Sequence, residues 1–206
     1  MPKAIAARLG RGLDLDDQDF DRIYPDWGRR LSTVHWTPVA IARRAAQWLA
    51  ARPGTRILDV GAGVGKFALV GALVTDGVFY GIEQRKQFVD AAQAAGRAMG
   101  AKRAHFLHGN MMALDWGMFD AFYLYNPFFD DLHAFNPYTP TDHDKVNLTL
   151  AHVEFVQRHL LRARVGTRVV TYHGFGGVLP PCYQLYPQSG TPMEELKLWM
   201  RVGPST

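Results

Sequence analysis

The sequence feature that most limits the fold is a glycine-rich segment, Ile57-Leu-Asp-Val-Gly-Ala-Gly-Val-Gly-Lys66. A short apolar run ends at Val60, three alternating glycines follow, and an apolar stretch of helical character begins at Lys66. Glycine has no side chain to keep a ligand away from the backbone, and the first turn of the next helix adds unpaired N–H donors. The segment therefore predicts a strand, a ligand-binding turn and a buried helix.

Strand and helix patterns alternate along most of the chain. Short apolar strands are predicted at Arg56–Val60, Val78–Ile82, Ala104–Leu107, Phe119–Tyr125 and Arg168–Tyr172. Apolar or amphipathic helices separate them. Residues 183–202 are predicted to add an antiparallel pair at the sheet edge, with a helix at residues 194–200 as the alternative. This alternation is typical of a parallel sheet with helices on both faces. We therefore predict an α/β fold with a doubly wound, mostly parallel sheet.

Composition and charge exclude several classes of protein. The 206 residues are 48% hydrophobic and 20% charged, which excludes extended disorder as the main state. Cys182 is the single cysteine, so a disulfide scaffold is excluded and an intracellular setting is favoured. The longest apolar stretch, Phe67–Val74, is far short of the roughly 20 residues that span a bilayer. We expect a cytoplasmic protein without a membrane partner, and a formal charge of +4 permits a nucleic-acid partner without requiring one.

A second acidic position strengthens the prediction of a ligand site. Glu83 ends the next strand, about 20 residues after the glycines, where a carboxylate can accept both hydroxyls of a ribose. The dinucleotide fingerprint would place a third glycine where this chain has Lys66. Asp59, two residues before the first glycine, suits a cationic ligand better than a pyrophosphate. A tight turn with no ligand is the structural alternative.

The pattern Asp59-x-Gly61-x-Gly63-x-Gly65, with Glu83 after it, resembles the class I S-adenosylmethionine-dependent methyltransferases. The resemblance covers roughly residues 37–175. It implies a seven-stranded Rossmann-like sheet with an N-terminal helical cap, and we divide the chain into a cap segment at residues 1–53 and a cofactor-binding domain at residues 54–206.

The same resemblance assigns roles to residues around the cofactor. It implies that the glycine turn holds the methionine part of S-adenosylmethionine and that Glu83 holds the ribose. Asn110, after the third strand, would address the adenine, and Met111 would pack on the adenine face. An ordinary loop at these two residues is the alternative.

The segment after the fourth strand, Tyr125-Asn-Pro-Phe-Phe129, resembles the Asn/Asp-Pro-Pro-Tyr/Phe signature of methyltransferases that act on planar or amine nitrogens. That resemblance implies that Asn126, next to Pro127, accepts N–H bonds from the target nitrogen and that an aromatic ring, Phe129, covers the substrate. Phe128 replaces the second proline of the signature. The chain is also similar to non-SET lysine methyltransferases, and the two resemblances imply different substrates. A buried hinge after the strand is the alternative for Phe128 and Phe129.

Residues 1–36 are interpreted as a charged, irregular approach to a first helix that begins at Thr37-Pro38. Trp36 and Thr37 either fold over the cofactor or serve as a hydrophobic staple and an N-cap. The eight histidines show no tight ligand spacing, so no metal is expected.

The sequence therefore predicts an S-adenosylmethionine-dependent methyltransferase that acts on a nitrogen of a protein side chain or small molecule. Tyr125, Asn126, Pro127 and Phe129 are the predicted substrate-side residues. A nucleic-acid N-methyltransferase, a non-catalytic nucleoside-binding protein and a nicotinamide-dependent oxidoreductase are the alternatives. The sequence does not indicate the oligomeric state.

Overall fold

The computed structural model describes residues 1–128, 142–186 and 195–203. Seven strands form one sheet in the order β3-β2-β1-β4-β5-β7-β6. Their bounds are β1 Arg56–Val60, β2 Val78–Glu83, β3 Ala104–His108, β4 Ala121–Tyr125, β5 Arg168–Tyr172, β6 Tyr183–Leu185 and β7 Leu196–Arg201. The first five strands are parallel, and β7 pairs antiparallel with both β5 and β6. The predicted α/β fold, with its doubly wound and mostly parallel seven-stranded sheet, is confirmed.

Helices cover both faces of this sheet. Their bounds are α1 Pro2–Gly10, α2 Asp17–Asp21, α3 Asp26–His35, α4 Val39–Leu49, α5 Lys66–Val74, α6 Lys86–Met99 and α7 Asp142–Arg162. Two single 3₁₀ turns, at Met111–Ala113 and Trp116–Met118, lie between β3 and β4. No helix in the described parts of the chain is long and apolar enough to cross a bilayer.

The core lies on the two faces of the central strands. Alternate residues of β1 point to opposite faces, so Ile57 joins one buried cluster and Leu58 the other, and both are fully buried. Helix α5 is apolar almost all round because it is enclosed between α4, the sheet and α1. This burial fixes the position of the glycine turn that connects β1 to α5.

The N-terminal region differs from its prediction. Residues 1–36 were expected to be irregular, but they form α1, α2 and α3, and Leu9, Phe20 and Tyr24 are buried in the core. The expectation was wrong because the apolar residues of this region are sparse among charges, and they become a buried set only when they pack on the rest of the domain. The helical cap itself is present; the division at residue 53 remains a prediction.

Candidate functional site

A cavity of about 850 Å³ opens at the carboxyl ends of β1, β2, β4 and β5. In an open parallel sheet, ligands bind in the crevice at this end, where the strand order reverses. Here the reversal falls between β1 and β4, since β2 lies on the other side of β1. The cavity volume is within the range of small-molecule sites. Most of the residues singled out in the sequence line it, and they divide between two ends of the cavity.

The glycine turn forms the floor of one end. Gly63 has a φ of 54°, and a side chain there would approach the Trp36 indole to 3.3 Å. Gly65 has a φ of 78°, and a Cβ would lie 2.3 Å from the Phe106 ring. Gly61 borders Pro127 in the same way, at 3.3 Å. The glycines therefore allow close packing by the protein as well as leaving room for a ligand.

Glu83 lies beside the turn and is almost completely buried. Its carboxylate accepts hydrogen bonds from the backbone N–H of Gly63 at 3.0 Å and from the backbone N–H of Arg85 at 2.9 Å. The Arg85 guanidinium donates to both carboxylate oxygens, at 2.8 and 3.3 Å. The acid is therefore held in a fixed orientation toward the turn.

Asp59 is the second buried carboxyl group at this end of the cavity. Burial, and then the nearby charge of Glu83, raise the pKa of Asp59 from its ordinary value of 3.8 to about 8. A buried carboxyl group with two such causes is typical of a functional site, and a cationic ligand would favour its ionised form.

Asn110 and Met111 are placed differently from one another. Met111 is buried and lines the cavity. Asn110 is exposed, and its side chain caps the first 3₁₀ turn by accepting the Met112 N–H at 2.8 Å. The structure thus supplies an apolar wall where an adenine is expected, and it gives Asn110 a local capping role. Binding of adenine by these residues stays a prediction.

Trp36 and Thr37 cover the turn from above. Trp36 is buried, packs edge-on against Tyr24 and lines the cavity. Thr37 was offered as the N-cap of the following helix, but α4 starts at Val39 and shows no side-chain cap bond from its N-cap residue. The Thr37 hydroxyl instead lies 2.9 Å from the Tyr123 hydroxyl on β4. The capping alternative is therefore wrong, and the two residues connect the cap to the sheet.

Lys66 holds the N-terminal helices over the turn, a role that the sequence analysis missed. Its ammonium group is buried, 2.6 Å from Asp17 and 2.8 Å from Asp21, and donates to the Ser32 hydroxyl at 3.1 Å. Asp17 also accepts the Val39 N–H at the start of α4. No local signal indicated this role, because Asp17 and Asp21 lie far from Lys66 in the sequence.

The other end of the cavity begins where β4 ends. Tyr125, Asn126, Pro127 and Phe128 all line it, and Phe128 is buried against the His152 ring at 5.1 Å. The buried-hinge alternative for Phe128 is consistent with this burial. Phe129, the predicted substrate-covering ring, lies outside the described residues.

Two strained residues lie side by side at this end. Asn126 has a φ of 36° and His173 a φ of 54°; among the described residues they are the only non-glycine residues with positive φ. The Asn126 N–H donates to the Gly174 carbonyl at 2.9 Å, which joins the ends of β4 and β5. Backbone strain of this kind clusters at functional sites because surrounding structure must hold it. His173, which lines the cavity and lies 3.6 Å from the Glu195 carboxylate, was missed because nothing in its sequence context is distinctive.

The donor set fits a nucleoside with a cationic side chain. A buried carboxylate ends β2, a second buried carboxyl group lies beside the glycine turn, and Met111 supplies an apolar wall. The first carboxylate can accept hydrogen bonds from ribose hydroxyls, the second can balance a positive charge, and Met111 can pack against a flat base.

Comparisons with known proteins agree with this fold. A family model of protein-L-isoaspartate(D-aspartate) O-methyltransferases matches residues 31–114, fewer than half of the chain. The fold is similar to TrmN from Thermus thermophilus, with 19% identity, a TM-score of 0.57, and coverage of 84% of this chain and 52% of that one. It is also similar to an RNA methyltransferase from Salinibacter ruber in complex with S-adenosyl-L-homocysteine, with 17% identity, a TM-score of 0.57, and coverage of 83% of this chain and 95% of that one.

The chain spans about half the length of the Thermus protein. None of the curated protein sequences matches it. The fold is that of the class I methyltransferases, and together with the partial family match it supports an S-adenosylmethionine-dependent methyltransferase.

Proposed function

We propose that this protein transfers a methyl group from S-adenosylmethionine to a nitrogen atom of a protein side chain or a small molecule. The observation that carries the proposal is Asn126. This residue lies at the end of β4 in a strained conformation, and it lines the same cavity as the carboxyl groups that suit the cofactor. The match to the family model supports the cofactor but ends at residue 114, before β4 begins. The acceptor side is therefore argued from this chain's own residues.

Five residues would hold the cofactor. Glu83 would accept the ribose hydroxyls, Met111 would pack against the base, and the backbone at Gly61 and Gly63 would border the methionine part. The ionised carboxylate of Asp59 would balance positive charge in this buried position. S-adenosylmethionine supplies, when bound, a methyl group that is already activated for transfer to a nucleophile.

The chain's own residues have two tasks in such a reaction. Trp36 and the buried ion pairs of Lys66 exclude water from the glycine turn. Asn126 offers amide and backbone carbonyl oxygens that can accept N–H bonds, and these bonds would turn a nitrogen lone pair toward the cofactor. Alignment of this kind supplies much of the rate of a methyl transfer, because the reactants are held at a productive distance.

A nucleic-acid acceptor is the second candidate. The Salinibacter protein, described as an RNA methyltransferase, is covered over 95% of its length. The net charge of +4 is compatible with such a partner. A non-catalytic nucleoside-binding protein is disfavoured because such a protein would have no use for strained residues beside the glycine turn.

The test is transfer of tritiated methyl groups from S-adenosylmethionine into three separated pools: bulk protein, small molecules and RNA from one bacterial lysate. Label in protein or small molecules, stable to mild alkali, is expected for a nitrogen product. Alkali-labile label would indicate a carboxyl ester and contradict the nitrogen acceptor. Label in RNA alone would favour the second candidate. The Asn126→Ala variant should lose labelling while it still binds S-adenosylhomocysteine by calorimetry.

A further inference from the structure

The hydrogen bonds around Glu83 leave no acceptor position on its carboxylate unused. A carboxylate has about four lone-pair sites, two on each oxygen. The backbone N–H and the Nε of Arg85 donate to Oε1, at 2.9 and 2.8 Å. The Gly63 N–H and the Nη2 of Arg85 donate to Oε2, at 3.0 and 3.3 Å. A ribose that donates two hydroxyls to this carboxylate must therefore displace two existing donors.

The Arg85 side chain is the part that can leave. Backbone donors of Gly63 and Arg85 are fixed by the turn and by the end of β2, whereas the guanidinium is on a flexible side chain that is half exposed. We infer that the Arg85 guanidinium and the ribose of a nucleoside compete for the same two acceptor positions on Glu83. Displacement of the guanidinium then sets how strongly this protein selects for the 2′ and 3′ hydroxyls of a nucleoside. The inference rests on the proposed function, since it concerns the same nucleoside site.

A second contact shows where the guanidinium can remain after displacement. The guanidinium carbon lies 4.0 Å from the centre of the Phe88 ring, and Phe88 stacks on Trp27 of α3 at 5.3 Å and 15°. A cation over an aromatic face is stabilised without any carboxylate. Arg85 therefore can lose its bonds to Glu83 while it keeps its contact with Phe88.

Removal of the guanidinium should leave Glu83 in place, because the Gly63 N–H and the Arg85 N–H still hold one lone pair on each oxygen. The two freed positions are then available to hydroxyls without competition. If Arg85 served instead to orient Glu83, the same change would weaken binding. The two roles therefore predict opposite changes in nucleoside affinity when the guanidinium is removed.

The experiment is calorimetric titration of the full chain with S-adenosylhomocysteine, whose uncharged sulfur limits the effect of the lost positive charge. Arg85→Ala should bind it roughly fivefold more tightly than the unaltered chain, the size expected for an ion pair with one exposed partner. Arg85→Lys, which cannot donate in the same forked geometry, should fall between the two. Arg97→Ala removes a charge from the exposed far end of α6 and should leave the affinity within twofold.

Adenosine and 2′,3′-dideoxyadenosine provide the second readout. The affinity for adenosine divided by that for the dideoxy compound should be larger in Arg85→Ala than in the unaltered chain. In the variant, the ribose hydroxyls bind Glu83 without first displacing a guanidinium. Unchanged or weaker binding of S-adenosylhomocysteine by Arg85→Ala would overturn the inference. Failure of the unaltered chain and both Arg85 variants to bind it would overturn the proposed function, and this inference with it.

Discussion

The two ends of the cavity are built on different principles. At the cofactor end, backbone N–H groups, left-handed glycines and buried carboxyl groups fix the geometry, and the Gly63–Glu83 bond is one example. At the acceptor end, formed by the residues after β4 and β5, Tyr125 is half-buried, His173 is exposed, and the backbone is strained at Asn126. On the proposed function, the cofactor is held by a rigid backbone around the glycine turn, whereas the acceptor is selected by side chains at the ends of β4 and β5.

The largest expected effect concerns the buried cation that fastens the cap to the cofactor end. Lys66→Met leaves Asp21 buried without its cation, so the free energy of unfolding should fall by about 3–5 kcal/mol. Urea denaturation measures this change. Lys86→Met, which removes an exposed cation paired with Asp90, is the matched control and should cost less than about 1 kcal/mol.

The double variant Lys66→Met, Asp21→Asn tests whether the loss of stability comes from the uncompensated charge or from the change of shape. It should recover part of the loss because the remaining partner is no longer charged. If it is as unstable as Lys66→Met alone, shape rather than charge at this position controls stability, and the ion-pair account of the cap is wrong.

Glu83→Gln should weaken binding at the cofactor end and leave the fold unchanged. The lost charge weakens two hydrogen bonds to ribose hydroxyls, and binding of S-adenosylhomocysteine should fall by about 100-fold, since bonds to charged groups are worth about 1.5 kcal/mol or more each. Calorimetry measures the affinity, and circular dichroism checks that the fold is kept. Asp90→Asn on the exposed face of α6 should not change the affinity.

Asp59 makes the cofactor end sensitive to pH. Its folded pKa of about 8 lies above the ordinary value of 3.8, so its contribution to stability is complete below about pH 4 and is lost as the pH rises to about 8. Binding of the cationic S-adenosylmethionine favours the ionised form. Below pH 8, binding of S-adenosylmethionine should release a proton, and its affinity should increase as the pH rises.

Titrations of S-adenosylmethionine in buffers of different ionisation enthalpy count the released proton. Asp59→Asn should abolish this release and flatten the pH dependence. A proton release that persists in Asp59→Asn would place the titrating group elsewhere.

The smallest expected effect is at the acceptor end. Asn126→Gly relieves a positive φ that asparagine tolerates at a cost, so stability should stay equal or rise by up to about 1 kcal/mol. Methyl transfer should nevertheless fall, because the carboxamide is gone. Thermal denaturation and the tritium assay together separate the two effects, and retention of full transfer would remove Asn126 from the reaction.

The sequence predicted the positions of the glycine turn and of Glu83, because a strand, a turn and the next strand end are local features. The turn that contains Gly63 and Gly65 lies where it was expected, between a strand and a helix, and Glu83 ends the next strand as expected. The roles of Thr37 and Lys66 could not be predicted, since each depends on partners far along the chain: Tyr123 for Thr37, and Asp17 and Asp21 for Lys66.

The acceptor end was only partly predictable for a related reason. Asn126 was found from a motif, but His173 joins it solely because β4 and β5 are parallel neighbours and the Asn126 N–H reaches the Gly174 carbonyl. Asparagine and histidine adopt a left-handed backbone more often than most residues, but the sequence does not indicate that Asn126 and His173 do so; here their N–H groups donate to the carbonyls of Gly174 and Glu195.

The most direct test of the central claim is a crystal structure of the protein with S-adenosylhomocysteine. The ribose hydroxyls should bind Glu83, the base should pack against Met111, and the sulfur should point toward Asn126. A nucleoside bound away from Glu83, or a sulfur that faces away from Asn126, would contradict the proposal that one cavity joins a cofactor end to an acceptor end.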